Sequence, residues 1–213
     1  MDILQLTNVA KSYRRKSVLK GVTARFPVGL TLLTGPSGAG KSTLLRLLAS
    51  AEAPDRGEIR WEGEPLPAAR TALRRSLGYA PQAVDLPDDL RAQSFALHIA
   101  ALKGLDLAAA DQQFAAIAAA IGLQDDLDTR IGAYSGGMRR RLIFAQALLG
   151  APRLLALDEP TAELDIETAR KVGALVVECA RTAVVIMTTH LADELAPQAA
   201  QILCVEGGNL VPA

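Results

Sequence analysis

Leu30-Thr31-Leu32-Leu33-Thr34 runs directly into Gly35-Pro36-Ser37-Gly38-Ala39-Gly40-Lys41-Ser42, which fits the phosphate-binding pattern G-x-x-x-x-G-K-[ST]. The apolar run predicts a short buried strand. Leu44, Leu45, Leu47 and Leu48 predict a helix from Ser42 with a broad buried face. Glycines let successive backbone N–H groups turn inward around a β-phosphate, and a helix starting after Gly40 adds the positive end of its dipole. Lys41 would reach the β- and γ-phosphates, and the Ser42 hydroxyl would ligate Mg²⁺. A nucleoside triphosphate with Mg²⁺ is therefore the expected ligand. A chance glycine-rich turn has no reason to carry this strand and helix around it. A kinase that hands the phosphoryl group to a small substrate shares the loop and is the alternative at this point.

Working outward, residues 3–6 and 21–26 carry strand patterning. Pro54-Asp55-Arg56-Gly57 marks a turn before a strand at residues 58–61, and Leu77–Ala80 is a strand stopped by Pro81. Residues 92–123 are rich in alanine, the strongest helix former. There Phe95, Ile99 and Leu102 share one helical stripe, and Phe114, Ile117 and Ile121 share another. A helical insertion is thus expected at about residues 83–150. Beyond it the pattern predicts strands at residues 154–157, 183–188 and 202–205, with a helix over Ile166–Ala180. Strands alternating with helices indicate a parallel sheet with crossovers. The expectation is one compact α/β unit over residues 1–213 with a helical insert.

Arg153-Leu154-Leu155-Ala156-Leu157-Asp158-Glu159 reads as a buried strand ending in two acids. Strand neighbours point to opposite sides, so the two carboxylates are expected to do different work. Asp158 would hold the magnesium, directly or through water. Glu159 would face the γ-phosphate and polarise an attacking water as general base. A kinase has no need of that second acid, so the pair favours hydrolysis.

Composition narrows the classes. The 213 residues are 50% hydrophobic and 22% charged, the balance of a folded globular protein. Lys+Arg and Asp+Glu both number 23, so the zero formal charge argues against a nucleic-acid partner. Aromatics at 4% leave little for stacking on single strands. Cys179 and Cys204 stand apart in apolar stretches, which suggests reduced core thiols in a cytosolic protein. The opening Met1-Asp2-Ile3 has no basic region of a secretory leader. Apolar stretches such as residues 184–187 fall far short of the ~20 residues a membrane span needs. His98 is expected to be satisfied or exposed, and no cluster has zinc-ligand spacing.

Tyr134-Ser135-Gly136-Gly137-Met138, followed by Arg139-Arg140-Arg141-Leu142, completes the picture. Ser135 is a good N-cap, and two glycines let a helix start approach a phosphate closely. The arginines lie about 100° apart on a helix and cannot share one phosphate, so they read as a solvated or interface face. Together with the phosphate loop and the acid pair, this stretch resembles the signature of ATP-binding-cassette (ABC) ATPases. Other elements follow in family order: Tyr13, Gln82 after Tyr79-Ala80-Pro81, Thr161-Ala162-Glu163-Leu164-Asp165 (the D-loop), and His190 after Thr188-Thr189. The resemblance covers about residues 3–210. Two departures stand out: Tyr134 and Met138 replace the Leu and Gln of Leu-Ser-Gly-Gly-Gln, and Glu163 replaces a more usual small residue. The signature variant resembles the ABC-2-type exporter ATPases.

The resemblance implies a P-loop NTPase core with a RecA-like, mostly parallel sheet, an N-terminal antiparallel β subdomain and an inserted helical subdomain. It implies ATP and Mg²⁺ as cofactors. ATP would be bound by Gly35 through Thr43 (Pro36, Ser37, Gly38, Ala39, Gly40, Lys41 and Ser42 included), with adenine stacked on Tyr13. Ser42, Gln82 and Asp158 would meet the metal, and Glu159, His190 and Lys41 would act on the γ-phosphate. Ser135, Gly136 and Gly137 would close over ATP held by a second copy in a head-to-tail dimer. A polytopic transmembrane permease would dock near residues 81–90, placing the chain on the cytoplasmic face of the cell membrane. A soluble ABC switch ATPase and an importer ATPase are the competing functions.

Overall fold

The computed structural model describes residues 3–14, 16–83 and 85–213. Met1 and Asp2, on which the leader expectation rests, lie outside the described residues, as does Val84 within the expected docking segment. The N-terminal elements are β1 (Leu4–Tyr13), β2 (Lys16–Phe26), β3 (Gly29–Thr34), α1 (Lys41–Leu48), β4 (Arg56–Trp61), β5 (Glu64–Pro65), α2 (Arg70–Arg75) and β6 (Leu77–Ala80). Helices α3 (Ala92–Lys103), α4 (Leu107–Ala120) and α5 (Gly136–Ala147) follow. The chain then runs through β7 (Leu154–Asp158), α6 (Ile166–Ala180), β8 (Val184–Thr188), α7 (Ala192–Leu195), β9 (Ala199–Glu206) and β10 (Asn209–Pro212).

These strands form two sheets. One is antiparallel, in the order β2-β1-β4-β5. The other runs β10-β9-β3-β8-β7-β6, parallel throughout except for β10 against β9. All five residues of β7 and of β8 are buried, which is why both read as near-continuous apolar runs rather than alternating ones. Successive residues of these strands divide between two cores. Leu154, Ala156, Val184 and Ile186 join Leu44, Leu45 and Leu48 of α1 with Phe26 and Trp61 of the antiparallel sheet. Leu155, Leu157, Val185 and Met187 join Val172 and Val176 of α6, in a core that continues to Phe114 and Phe144 of the helical region.

Three local readings are corrected by the structure. Strand β1 continues far past residue 6, through register shifts between Leu6 and Val9 and a left-handed Asn8 (φ 51). Such bulges break the alternation that marks a strand in sequence. In α3 the buried residues are Ala92, Ala96 and Ala100, whereas Phe95 and Ile99 are half-buried and Leu102 is 72% exposed. Small residues let α3 lie close to α4, and the large ones are turned aside. Cys179 and Cys204 are free and half-buried rather than core thiols. His98 is exposed. No helix among the described residues is long and apolar enough to cross a membrane.

Candidate active site

The phosphate loop leaves the central strand β3 at Gly35, whose φ of 122 places a would-be Cβ against the carbonyl of Val205 on β9. Only glycine fits there. At the other end Gly40 (φ 115) is the N-cap of α1 and supplies no capping side chain, so the first N–H groups await an acceptor from outside the helix. Lys41 Nζ folds back to donate to the carbonyls of Gly35 (2.7 Å) and Pro36 (3.0 Å). Around this loop lies a cleft of about 770 Å³. Gly35, Ser37, Gly38, Gly40, Lys41, Ser42 and Thr43 line it, as do Tyr13, Gln82, Asp158, Glu159 and His190. Pro36 and Ala39 do not. They shape the loop, the Ala39 N–H donating to the Pro36 carbonyl at 3.2 Å.

The two acids face one cleft, contrary to the alternation argument. Strand β7 ends at Asp158, and Glu159 takes a left-handed φ of 52, so the chain has turned before the second carboxylate emerges. Thr188, at the end of the adjacent β8, holds both. Its hydroxyl donates to Asp158 Oδ1 (2.8 Å) and accepts from the Glu159 N–H (2.9 Å). Asp158 is 4% exposed. Glu159 Oε2 is buried without a hydrogen-bond partner, 3.5 Å from Nε2 of His190, whose ring is largely exposed. An unsatisfied buried carboxylate oxygen is costly unless a ligand or water completes it.

Tyr13 lies at the cleft with its ring near the Lys11 ammonium (5.6 Å) and the Arg46 guanidinium (5.9 Å), and its hydroxyl bonds to Glu52. Arg46 also donates to Thr43 Oγ1 at 3.1 Å and lines the cleft. The sequence reading missed Arg46 and Thr188. Arg46 is the lone charge in the apolar run of α1, a signal that its head must find water or partners. Thr188 was passed over as ordinary strand.

Ser135, Gly136 and Gly137 are not among the residues lining this cleft. Ser135 caps α5, its hydroxyl accepting from the Met138 N–H at 3.3 Å. Tyr134 is a core residue whose hydroxyl donates to the Asp126 carbonyl (2.7 Å), and burial pushes its pKa up to about 12. The arginines are no solvated face. Arg139 pairs with Asp88 (2.6 Å), Arg140 is buried and donates to the Gln82 carbonyl (2.6 Å), and Arg141 bonds the carbonyls of Ile121 and Gly122. Being 100° apart, each pins a different segment to α5.

Comparison with known proteins agrees with this architecture. Residues 19–162 match the family model described as "ABC transporter". Over 213 residues the chain is 30% identical to the Nod factor export ATP-binding protein I of Rhizobium etli, covering 99% of this chain and 67% of that protein. It is 32% identical over 212 residues to the daunorubicin/doxorubicin resistance ATP-binding protein DrrA of Streptomyces peucetius, covering 98% and 64%. A solved ATP-binding subunit of an ABC transporter superposes with a TM-score of 0.87 at 24% identity, over 98% of this chain and 88% of that one. A dimeric ATP-binding cassette in a post-hydrolysis state, bound to ADP and phosphate, gives 0.87 at 23% identity over 97% and 96%. Phosphate loop, acid pair and capped signature helix thus sit on the fold of their relatives, and the chain belongs to the ABC transporter family as an ATP-binding, ATP-hydrolysing subunit coupled to transport.

Proposed function

We propose that this subunit powers export, working as one half of a head-to-tail pair that drives a polytopic permease from the cytoplasmic face of the membrane. The observation that carries the hydrolytic half is the buried Glu159 Oε2, which lacks a hydrogen-bond partner and lies beside Asp158 and His190. Lys41 and the open N–H groups of α1 would bind the β- and γ-phosphates of ATP, with the adenine against Tyr13. Glu159 would orient the attacking water and take its proton, while His190 contacts the γ-phosphate. Ser42, Gln82 and Asp158 form an all-oxygen donor set that suits a hard cation keeping several waters, and Mg²⁺ held there would neutralise phosphate charge. Among the described residues no group of three or more His, Cys, Asp and Glu competes for a metal.

Each chain has one phosphate loop and one signature, and its signature does not line its own cleft. That separation supports a second copy whose Ser135, Gly136 and Gly137 close over the nucleotide. Residues 1–213 would act as one cassette, with the helical insert at about 83–150 and the permease docked near residues 81–90. The curated relatives are named for Nod factor export and for drug resistance, which supports export over import.

The decisive variant is Glu159→Gln. ATP binding should survive, turnover should fall by about two orders of magnitude or more, and a dimer should accumulate with ATP. Full turnover in that variant would remove the general-base role. Co-purification of a polytopic protein from solubilised membranes tests the permease, and its repeated absence would favour a soluble switch ATPase.

A further inference from the structure

The acidic residue at position 163 sits against the start of the signature helix. Glu163 Oε2 lies so near Gly136 that a Cβ on that glycine would come within 2.5 Å of it, and a Cβ on Gly137 would be 3.2 Å from the Glu163 carbonyl oxygen. Gly136 is the first residue of α5, where the helix dipole attracts negative charge. The other carboxylate oxygen faces Arg140 Nη2 at 3.8 Å, and Arg140 Nη1 is occupied by the Gln82 carbonyl at 2.6 Å. The Glu163 backbone is left-handed (φ 64), a conformation that few side-chain-bearing residues adopt. Its side chain is 63% exposed and so has room to leave.

We propose that Glu163 is an electrostatic gate on the closed pair: in the free chain its carboxylate holds the ground at Gly136 that the γ-phosphate of ATP on the second copy must take. This rests on the head-to-tail reading above. Two anions cannot share one helix start, so closure requires Glu163 to swing into solvent, away from both Gly136 and Arg140. The gate opposes closure until nucleotide binding outweighs it. It leaves ATP binding to the open chain untouched, because Glu163 is not part of the cleft.

The test compares Glu159→Gln with Glu159→Gln/Glu163→Gln by light scattering across an ATP titration. Glutamine keeps the shape and removes only the charge. The ATP concentration at half-dimerisation should fall roughly three- to tenfold at low salt, and the difference should shrink at high salt. ATP affinity of the dilute monomer should be the same in both. A midpoint that stays put or rises with Glu163→Gln overturns the gate. Glu163→Gly, which also relieves the left-handed backbone, should shift the midpoint in the same direction. If only the glycine variant moves it, the effect is one of backbone strain and the gate is wrong. Absence of an ATP-dependent dimer in both variants would instead refute the head-to-tail reading, and the gate with it, whereas a dimer in the double variant alone is the gate at its strongest.

Discussion

Glu159 shows how one dihedral angle redirects a site. On a regular strand it would point away from Asp158, yet its φ of 52 brings both carboxylates to one cleft, and the Thr188 hydroxyl fixes the turn from β8. Thr188→Val preserves shape but leaves a buried carboxylate and an N–H each short of one partner. The expected cost is about 1–3 kcal/mol of stability, measured by denaturant unfolding, with turnover lowered more than ATP affinity. A variant of unchanged stability and rate would show that the hydroxyl positions neither acid. Residue identity at the cleft was readable because phosphate chemistry demands particular groups at particular spacings. The orientation of Glu159 was not, since a left-handed acid leaves no mark in the letters around it.

At the scale of elements, the central strands and α6 were legible because continuous apolar runs and a capped amphipathic pattern admit few other folds. Helix α3 was misread because hydrophobicity was weighed by size. Its alanines are buried and Leu102 is exposed, since interhelical distance rather than side-chain area decided which face turned inward. The C-terminal turn of α3 also carries a titration. Lys103 donates to the Leu149 carbonyl at 2.5 Å, and burial lowers its pKa from 10.5 to about 8. Between those two values the unfolded chain retains a proton that the folded chain has released. Stability should therefore rise with pH across that window, by on the order of 3 kcal/mol, with the full penalty present below it. Unfolding curves of Lys103→Met, compared with the parent from neutral to alkaline pH, should lack this slope. An identical slope would assign it to other groups.

For the whole molecule, the separation of the signature from the cleft has a kinetic signature of its own. If a second copy completes each site, ATPase activity per chain should increase with protein concentration until dimers saturate. A specific activity that stays constant over a hundredfold dilution would mean that one chain suffices. The formal net charge of zero fits such pairing, because no like-charge field opposes the approach of two copies. The sheet order adds a mechanical consequence. Among the described residues, strand β6, which leads to Gln82, is the outermost of its sheet and pairs with β7 alone. Its Gly78 backbone lies against the Ala147 carbonyl, Gln146 Nε2 donates to the Tyr79 carbonyl (2.9 Å) and Arg140 to that of Gln82. The edge strand is thus held on two sides, by its ladder to β7 and by α5 across its face. A displacement of α5 must therefore be felt at Gln82, so that Ser135 at the start of that helix and Gln82 beside the cleft are mechanically linked through Arg140.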